Sequence, residues 1–274
     1  MIRTPLQYHR PATAEETTAL LLEHDGDVAV LGGGSQLLPQ LTRGELTVSH
    51  VVDLRGMGLC DIATEGPDIV IGALISYRDL LRSALVGDQI SHLARVARGV
   101  TGGRQLHNAA TPVGAVCFGM PGTDMPAAFA GLGARYRVHG PTGTREVPAA
   151  QFHVDAYRTV LGPGEFVEAA VLAATTRVTG YCKVKHSAGS WPIVTATYCR
   201  EGESAAVTLG GLQAVPLRVP LPARAEVGEA ELRDRVDAAV TEPWSDVLAP
   251  GRYRARIAGT VAHRAYRESW ENRT

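Results

Sequence analysis

Cysteine is scarce in this sequence: four occur among 274 residues, at Cys60, Cys117, Cys182 and Cys199. They form no CxxC pair, and the gaps between them are long and unequal. Iron–sulfur clusters and structural zinc sites need closely spaced thiolates. The nine histidines include no HExxH motif, the helical spacing of a catalytic zinc site. We therefore predict no metal site within this chain and expect free, mostly buried thiols.

The sequence also lacks an excess of positive or of negative charge. Lys and Arg number 27 and Asp and Glu number 28, for a formal net charge of −1, so bulk attraction to nucleic acid or anionic lipid is not indicated. No apolar run approaches the ~20 residues that cross a bilayer, and residues 1–11 lack the apolar stretch of a signal peptide. We expect a cytoplasmic protein that binds neither nucleic acid nor membrane.

Aromatic residues are the third scarcity, at 5%, although apolar residues as a whole make up 45%. The core must therefore be built mainly from Ala, Val and Leu. At about 150 residues per domain, a length of 274 residues predicts roughly two domains.

The first 55 residues predict a small α/β unit. Thr13 and Glu16 form a capping box that opens a helix over 14–24. Short β-branched runs predict buried strands over 27–31 and 50–54. A helix-like segment lies between those two strands, so the order of elements is that of an α/β layer.

The remaining residues predict a mixture of strands and helices with a boundary between two domains near residues 173–178. Residues 101–126 are rich in Gly, Pro, Thr and Asn and are predicted to form a long structured loop, a feature that is usually functional or mobile. Apolar patterning predicts strands over 68–75, 166–172, 178–186 and 205–212, and helices over 88–100, 228–241 and 251–270.

A glycine loop, Gly32–Gln36, follows the strand predicted at 27–31. Without Cβ atoms, successive backbone N–H groups can converge on a phosphate, and Ser35 adds a hydroxyl. A Rossmann fingerprint would need glycine where Leu37 stands, and no GK[ST] sequence supports a P-loop. The loop is therefore either another kind of phosphate-binding loop or a purely structural tight turn.

Four segments, in order and with matching spacing, resemble the FAD-binding medium subunit of the molybdenum hydroxylases, a group that includes carbon monoxide and xanthine dehydrogenases. The opening phrase YHRPATAEETTALL is also similar to that family. Each motif alone is weak, but the set covers nearly the whole chain. The segments are LGGGSQLLP (31–39), TPVGAVCFGMPGTDMPAA (111–128), YCKVKHSAGSWPIV (181–194) and PWSDVLAPGRYRARIAGTVAHRA (243–265).

The resemblance implies an α+β protein with a fold of the p-cresol methylhydroxylase and vanillyl-alcohol oxidase type. Two α/β subdomains, at about 1–55 and 56–175, would form the FAD-binding domain, and 176–274 would form a smaller C-terminal α+β domain. One FAD would lie between the two subdomains. It would pass electrons from iron–sulfur and molybdopterin partner subunits to an acceptor.

The resemblance also assigns residues to the cofactor. Asp124 matches an aspartate that hydrogen-bonds FAD, Lys183 matches a lysine near the flavin ring, and Leu161 ends a stretch from Tyr157 whose backbone contacts the flavin. No catalytic acid or base is implied. The residues assigned to the two loops around the pyrophosphate are Gly32, Gly33, Gly34, Ser35, Gln36 and Leu37, and then Thr111, Pro112, Val113, Gly114 and Ala115.

The second loop departs from the family pattern. Pro112 has no N–H to donate, Val113 adds bulk, and Ala115 lacks an amide side chain. Losing one hydrogen bond would cost roughly 0.5–1.5 kcal/mol, so we expect weakened FAD binding. His107 stands where the family has arginine. Two alternatives therefore stay open: a stand-alone FAD enzyme acting directly on a small organic substrate, and a non-catalytic member that has lost flavin.

Other side chains carry weaker hypotheses. His107 and His186 could serve as acid–base groups because imidazole titrates near neutrality, but no partner residue is visible. Trp191 is predicted to pack in the core rather than over the flavin. Five arginines make the C-terminal helix basic, and we expect them to form a solvated helix face, with a docking surface as the alternative. They are Arg252, Arg254, Arg256, Arg264 and Arg267.

Overall fold

The computed structural model describes residues 5–223 and 226–271. The first unit consists of β1 (Gln7–His9), α1 (Ala14–Glu23), β2 (Val28–Leu31), α2 (Leu37–Arg43) and β3 (His50–Asp53). Its strands are all parallel, in the order β1–β3–β2. The glycine loop leaves the carboxyl end of β2 and leads directly into α2.

The capping box predicted for α1 is present. The Thr13 hydroxyl accepts a bond from the Glu16 N–H at 3.1 Å, and the Glu16 carboxylate reaches back to the N–H of Ala12 at 2.8 Å. The first bond satisfies a donor that a helix leaves unpaired at its start, and the second ties the residue before the cap to the first turn. The sequence therefore determines locally where this helix begins.

The second unit is a five-stranded antiparallel sheet with helices packed on it. From one edge of the sheet to the other, its strands cover residues 62–65, 68–72, 166–173, 135–140 and 143–148. A large cluster of buried apolar residues lies between this sheet and its helices. The elements are β4 (Ile62–Glu65), β5 (Asp68–Gly72), α3 (Tyr77–Arg82), α4 (Ala84–Gln89), α5 (Ser91–Arg98), α6 (Gly103–Ala109), α7 (Pro112–Phe118), α8 (Asp124–Gly131), β6 (Arg135–Gly140), β7 (Gly143–Pro148), α9 (Ala149–Phe152), β8 (His153–Asp155), β9 (Arg158–Thr159) and β10 (Phe166–Ala173).

The prediction of one long loop over 101–126 is wrong. This stretch contains α6, α7 and the start of α8. Some of its glycines and prolines stand at helix ends: Pro112 is the first residue of α7, and Gly119 closes that helix at φ +65°. Composition alone cannot separate such end positions from a loop.

The third unit is an antiparallel meander covered by two helices. It comprises β11 (Val178–Lys185), β12 (Pro192–Glu201), β13 (Ser204–Gly210), β14 (Leu217–Leu221), α10 (Glu229–Ala239) and α11 (Gly251–Glu271). Strands β12 and β14 have no counterpart in the sequence prediction. The division of the chain into domains near residue 175 stays a prediction. Across 5–223 and 226–271, no helix has both the length and the apolar character needed to cross a bilayer.

The expected solvated arginine face on α11 is wrong for Arg254. Four of the five arginines are exposed, but Arg254 is fully buried. Its guanidinium lies 2.5 Å from the Asp246 carboxylate and 2.9 Å from the carbonyl oxygen of Gly211, and it also donates to the carbonyl oxygen of Ile193. Charge neutralisation and these bonds offset the cost of burying a cation. Arg254 therefore links α11 to the antiparallel meander through hydrogen bonds.

The thiols are free, as expected, but they are less buried than predicted. Cys60 is exposed, whereas Cys117, Cys182 and Cys199 are half-buried. Burial raises the pKa of the Cys117 thiol to about 12. This side chain is therefore protonated and unreactive near neutral pH.

We expect Gly180→Ala to destabilise the fold by about 1–3 kcal/mol, the usual cost of overpacking. A Cβ at Gly180 in β11 would overlap the backbone oxygen of Ala265 in α11, which can move only with its helix. The matched control is Gly87→Ala in α4, where a Cβ meets no atom within 4 Å. That variant should gain up to about 1 kcal/mol because alanine favours helix. Urea unfolding measures the stability of both variants. If Gly180→Ala were as stable as Gly87→Ala, the close packing at Gly180 would be contradicted.

Candidate functional site

A cavity of about 380 Å³ opens where the three units meet. The first unit contributes the glycine loop, the second contributes α7 and the start of α8, and the third contributes Trp191 and Pro192. Most residues predicted to hold the cofactor are brought together here. Those that line the cavity are Gly32, Gly33, Gly34, Ser35, Gln36, Leu37, Thr111, Val113, Gly114, Ala115, Asp124 and Leu161, whereas Pro112 and Lys183 do not line it.

Two glycines of the first loop are required by geometry. A Cβ at Gly33 would overlap the carbonyl oxygen of Ala109, and Gly34 has φ +70°, a conformation that L side chains rarely adopt. The loop therefore rests backbone-to-backbone on the end of α6. Bare backbone on the cavity wall is what a phosphate-binding loop needs, because a ligand can approach the N–H groups closely.

The second segment is the first turn of α7. The Thr111 hydroxyl accepts a bond from the Gly114 N–H at 2.9 Å, which caps the helix. Pro112 follows as the first helical residue, a position whose N–H has no partner within the helix. Val113 is only 2% exposed and packs into the core of the second unit while still lining the cavity. The helix therefore accommodates Pro112 and Val113, two of the three departures from the family pattern in this loop.

Asp124 lies on the cavity wall at the start of α8 and is 5% exposed. Its Oδ1 accepts bonds from the Lys183 ammonium and from the Tyr181 hydroxyl, each at 2.7 Å. Lys183 also donates to the carbonyl oxygen of Gly99 at 2.5 Å. Burial raises the pKa of Tyr181 well above its ordinary value, and the Asp124 charge adds to the shift. Lys183 thus reaches the site through Asp124 rather than by lining the cavity.

Several cavity residues carry no signal in the sequence. Tyr77, Thr101 and Phe118 line the cavity because α3, the turn after α5 and the end of α7 converge there. Burial raises the pKa of Tyr77, and the charge of Asp124 adds to the shift. Trp191, for which the sequence predicts a core position, lines the cavity instead. Phe118 and Trp191 lie within the family-like segments 111–128 and 181–194, but nothing in those segments marks them as cavity residues, because tertiary contacts place them there.

The two histidines considered as acid–base groups point elsewhere. His107 places its Nε2 atom 2.9 Å from the carbonyl oxygen of Val100, and His186 places its Nε2 atom 2.6 Å from the carbonyl oxygen of Leu248. Neither lines the cavity. The geometry therefore gives no support to their role as proton-transfer groups at this site.

The stretch that ends at Leu161 adds one strained residue. Tyr157 has φ +59°, donates its N–H to the carbonyl oxygen of Gly119 at 2.8 Å, and packs edge-on against Phe118 with ring centroids 5.4 Å apart. Gly119 itself could not carry a side chain freely, because a Cβ would lie 3.2 Å from the Tyr157 backbone. These contacts hold the stretch against α7 and direct Leu161 into the cavity.

The cavity has the properties that FAD requires. Backbone-lined turns suit a pyrophosphate, and apolar walls that include Phe118, Phe166 and Val167 suit a flat ring system. Asp124 is a buried carboxylate on the wall that can accept a hydrogen bond from a ligand. The residues present therefore fit the cofactor that the sequence resemblance implies.

Comparisons with known proteins point to the same family. A family model described as the FAD binding domain in molybdopterin dehydrogenase matches residues 4–172. The carbon monoxide dehydrogenase medium chain of Afipia carboxidovorans is 32% identical, over 97% of this chain and 96% of its own length. The glyceraldehyde dehydrogenase medium chain of Sulfolobus acidocaldarius is 25% identical, over 95% and 97%.

A solved structure extends the likeness to the fold. Carbon monoxide dehydrogenase from Hydrogenophaga pseudoflava, in a form that lacks the Mo-pyranopterin moiety of the molybdenum cofactor, superposes with a TM-score of 0.91. The sequences are 28% identical, and the match covers 99% of each chain. The α+β fold implied by the sequence resemblance is confirmed over the whole chain.

We expect Lys183→Met to cost about 3–5 kcal/mol, because it leaves the buried Asp124 carboxylate without its cation. The double variant Lys183→Met/Asp124→Asn should recover much of that loss, since it removes both charges. A control is Arg43→Met, whose partner is Glu45 and whose ion pair is more than half exposed; it should cost less than about 1 kcal/mol. Urea unfolding measures the stability of all three variants. If the double variant were the least stable of them, the ion-pair argument would be contradicted.

Proposed function

We propose a function for this chain from the family to which it belongs, the FAD-binding domains of molybdopterin dehydrogenases: it binds one FAD in the cavity between its three units and passes electrons to an acceptor. The observation that carries the proposal is geometric. The loop Gly32–Leu37 and the helix start Thr111–Ala115 are far apart in sequence, yet they line one cavity. FAD bound there supplies the redox chemistry.

The chain's own residues would bind and orient the cofactor. The glycine loop would hold the pyrophosphate through backbone N–H groups, with the Ser35 hydroxyl as a further donor. The first turn of α7 would add the N–H of Val113, because the N–H groups of Gly114 and Ala115 already donate to Thr111. Asp124 would accept a hydrogen bond from the cofactor, and Lys183 and Tyr181 would hold that carboxylate in its position. Leu161, at the end of the stretch that begins at Tyr157, would contact the flavin.

The chain would therefore be the flavoprotein component of a larger oxidoreductase. Two named relatives are medium chains of dehydrogenases, which supports partner chains of other sizes. We propose an iron–sulfur subunit as the electron donor to FAD and a molybdopterin subunit as the place of substrate oxidation. The final acceptor is then a small molecule that meets the flavin. The cytoplasmic location expected from the sequence stays a prediction.

The first experiment is an absorption spectrum of the purified chain, before and after incubation with FAD and removal of the unbound cofactor. Bands near ~375 and ~450 nm, as expected for an oxidised flavin, would support the proposal. A colourless protein after reconstitution would contradict it and favour a member that has lost flavin. Purification from the native host then separates the remaining alternatives: co-purifying iron–sulfur and molybdenum subunits support the subunit role, whereas turnover of an organic substrate by the isolated chain supports a stand-alone enzyme.

We expect Gly33→Ala to weaken FAD binding by about tenfold or more, because the loop must move away from Ala109 and lose at least one backbone contact to the pyrophosphate. Fluorescence titration of FAD measures the affinity. Gly87→Ala is the matched control and should bind FAD as the unmodified chain does. Circular dichroism confirms that each variant is folded; unchanged affinity in folded Gly33→Ala would show that the loop does not hold the cofactor.

A further inference from the structure

Three histidines that are distant in sequence meet on the first unit. His9 is the last residue of β1, His24 caps the carboxyl end of α1, and His50 is the first residue of β3. One ring nitrogen from each lies within 4.8 Å of the other two. The Nε2 atom of His9 is 3.0 Å from the Nδ1 atom of His50.

The three rings are stacked. The centroids of His24 and His50 are 3.5 Å apart and their planes differ by 12°, while those of His9 and His50 are 5.2 Å apart. All three side chains are half-buried, so they are partly ordered by packing and still open to solvent. None of them lines the cavity, so the cluster is separate from the proposed cofactor site.

We propose that His9, His24 and His50 form a binding site for a divalent transition-metal ion, with Zn²⁺ the best match, although the sequence motifs predicted no metal site within this chain. Neutral imidazole is a common Zn²⁺ ligand, with Zn–N distances of about 2.0–2.1 Å. Two nitrogens on one tetrahedral Zn²⁺ are therefore roughly 3.3–3.4 Å apart, close to the present separation of His9 and His50. Three histidines would leave a fourth position for water.

The backbone around the cluster is well ordered by hydrogen bonding. His50 donates its N–H to the carbonyl oxygen of Asp27 at 3.1 Å, and the Asp27 carboxylate accepts from the N–H of Ser49 at 2.8 Å. In the parallel register, His50 pairs with Gln7 of β1 and with Val28 of β2. Two ligands thus lie on neighbouring strands and the third, His24, lies at the end of α1. Because the rings are stacked, their side chains would turn to direct one nitrogen each at the ion. A bound ion would join β1, α1 and β3.

Equilibrium dialysis of the chelator-treated full chain against Zn²⁺, followed by metal analysis, tests the site. We expect one Zn²⁺ per chain, and a loss of affinity of at least about tenfold in His24→Gln. The matched control is Cys60→Ser, because Cys60 is an exposed thiol that could bind Zn²⁺ by itself; its stoichiometry and affinity should be unchanged. Equal binding by His24→Gln and the unmodified chain, or loss of binding in Cys60→Ser, would overturn the proposal.

Two further measurements guard against an unfolded variant. Zn²⁺ should raise the Tm of the unmodified chain and leave that of His24→Gln unchanged, since an ion that binds only the folded state stabilises it. A second variant, His9→Gln, should show the same loss. Co²⁺ in place of Zn²⁺ should give the visible spectrum of a nitrogen-ligated ion, and a spectrum identical to that of hydrated Co²⁺ would contradict the site.

Discussion

The contact between the glycine loop and the end of α6 is the constraint on which the site depends. Gly33 lies against Ala109 without room for a Cβ, so the first unit meets the helices of the second at backbone distance. That approach makes Gly32–Leu37 and the first turn of α7 two walls of one cavity. A side chain in the contact would separate the walls and remove the shape that suits a pyrophosphate.

The buried ion pair between Asp124 and Lys183 connects the third unit to the wall of the cavity. It joins α8 of the second unit to β11 of the third, and the bond from Lys183 to Gly99 ties in the end of α5. Each charge would be costly to bury alone, but the pair and its hydrogen bonds offset that cost. The same interaction that holds two units together therefore also fixes an acceptor on the cavity wall.

The departures of this chain from its family's second loop have a local explanation. Helix α7 begins at the point where the family motif changes, so Pro112 replaces an N–H that the helix does not use. Val113 contributes to the core as well as to the cavity. These substitutions leave the backbone that forms the wall in place, but Pro112 removes an N–H that could face a ligand. The weakened FAD binding expected from the sequence therefore stays a prediction.

The sequence by itself determined the family, the α+β fold and fewer than half of the cavity-lining residues, because the motifs around Gly33, Gly114 and Asp124 are local and keep their order. Capping by Thr13 likewise fixed a helix start. Only the tertiary structure decided the helices within 101–126, the burial of Arg254 and the approach of His9, His24 and His50. Such features depend on strand register and on contacts between distant segments, which linear spacing does not record.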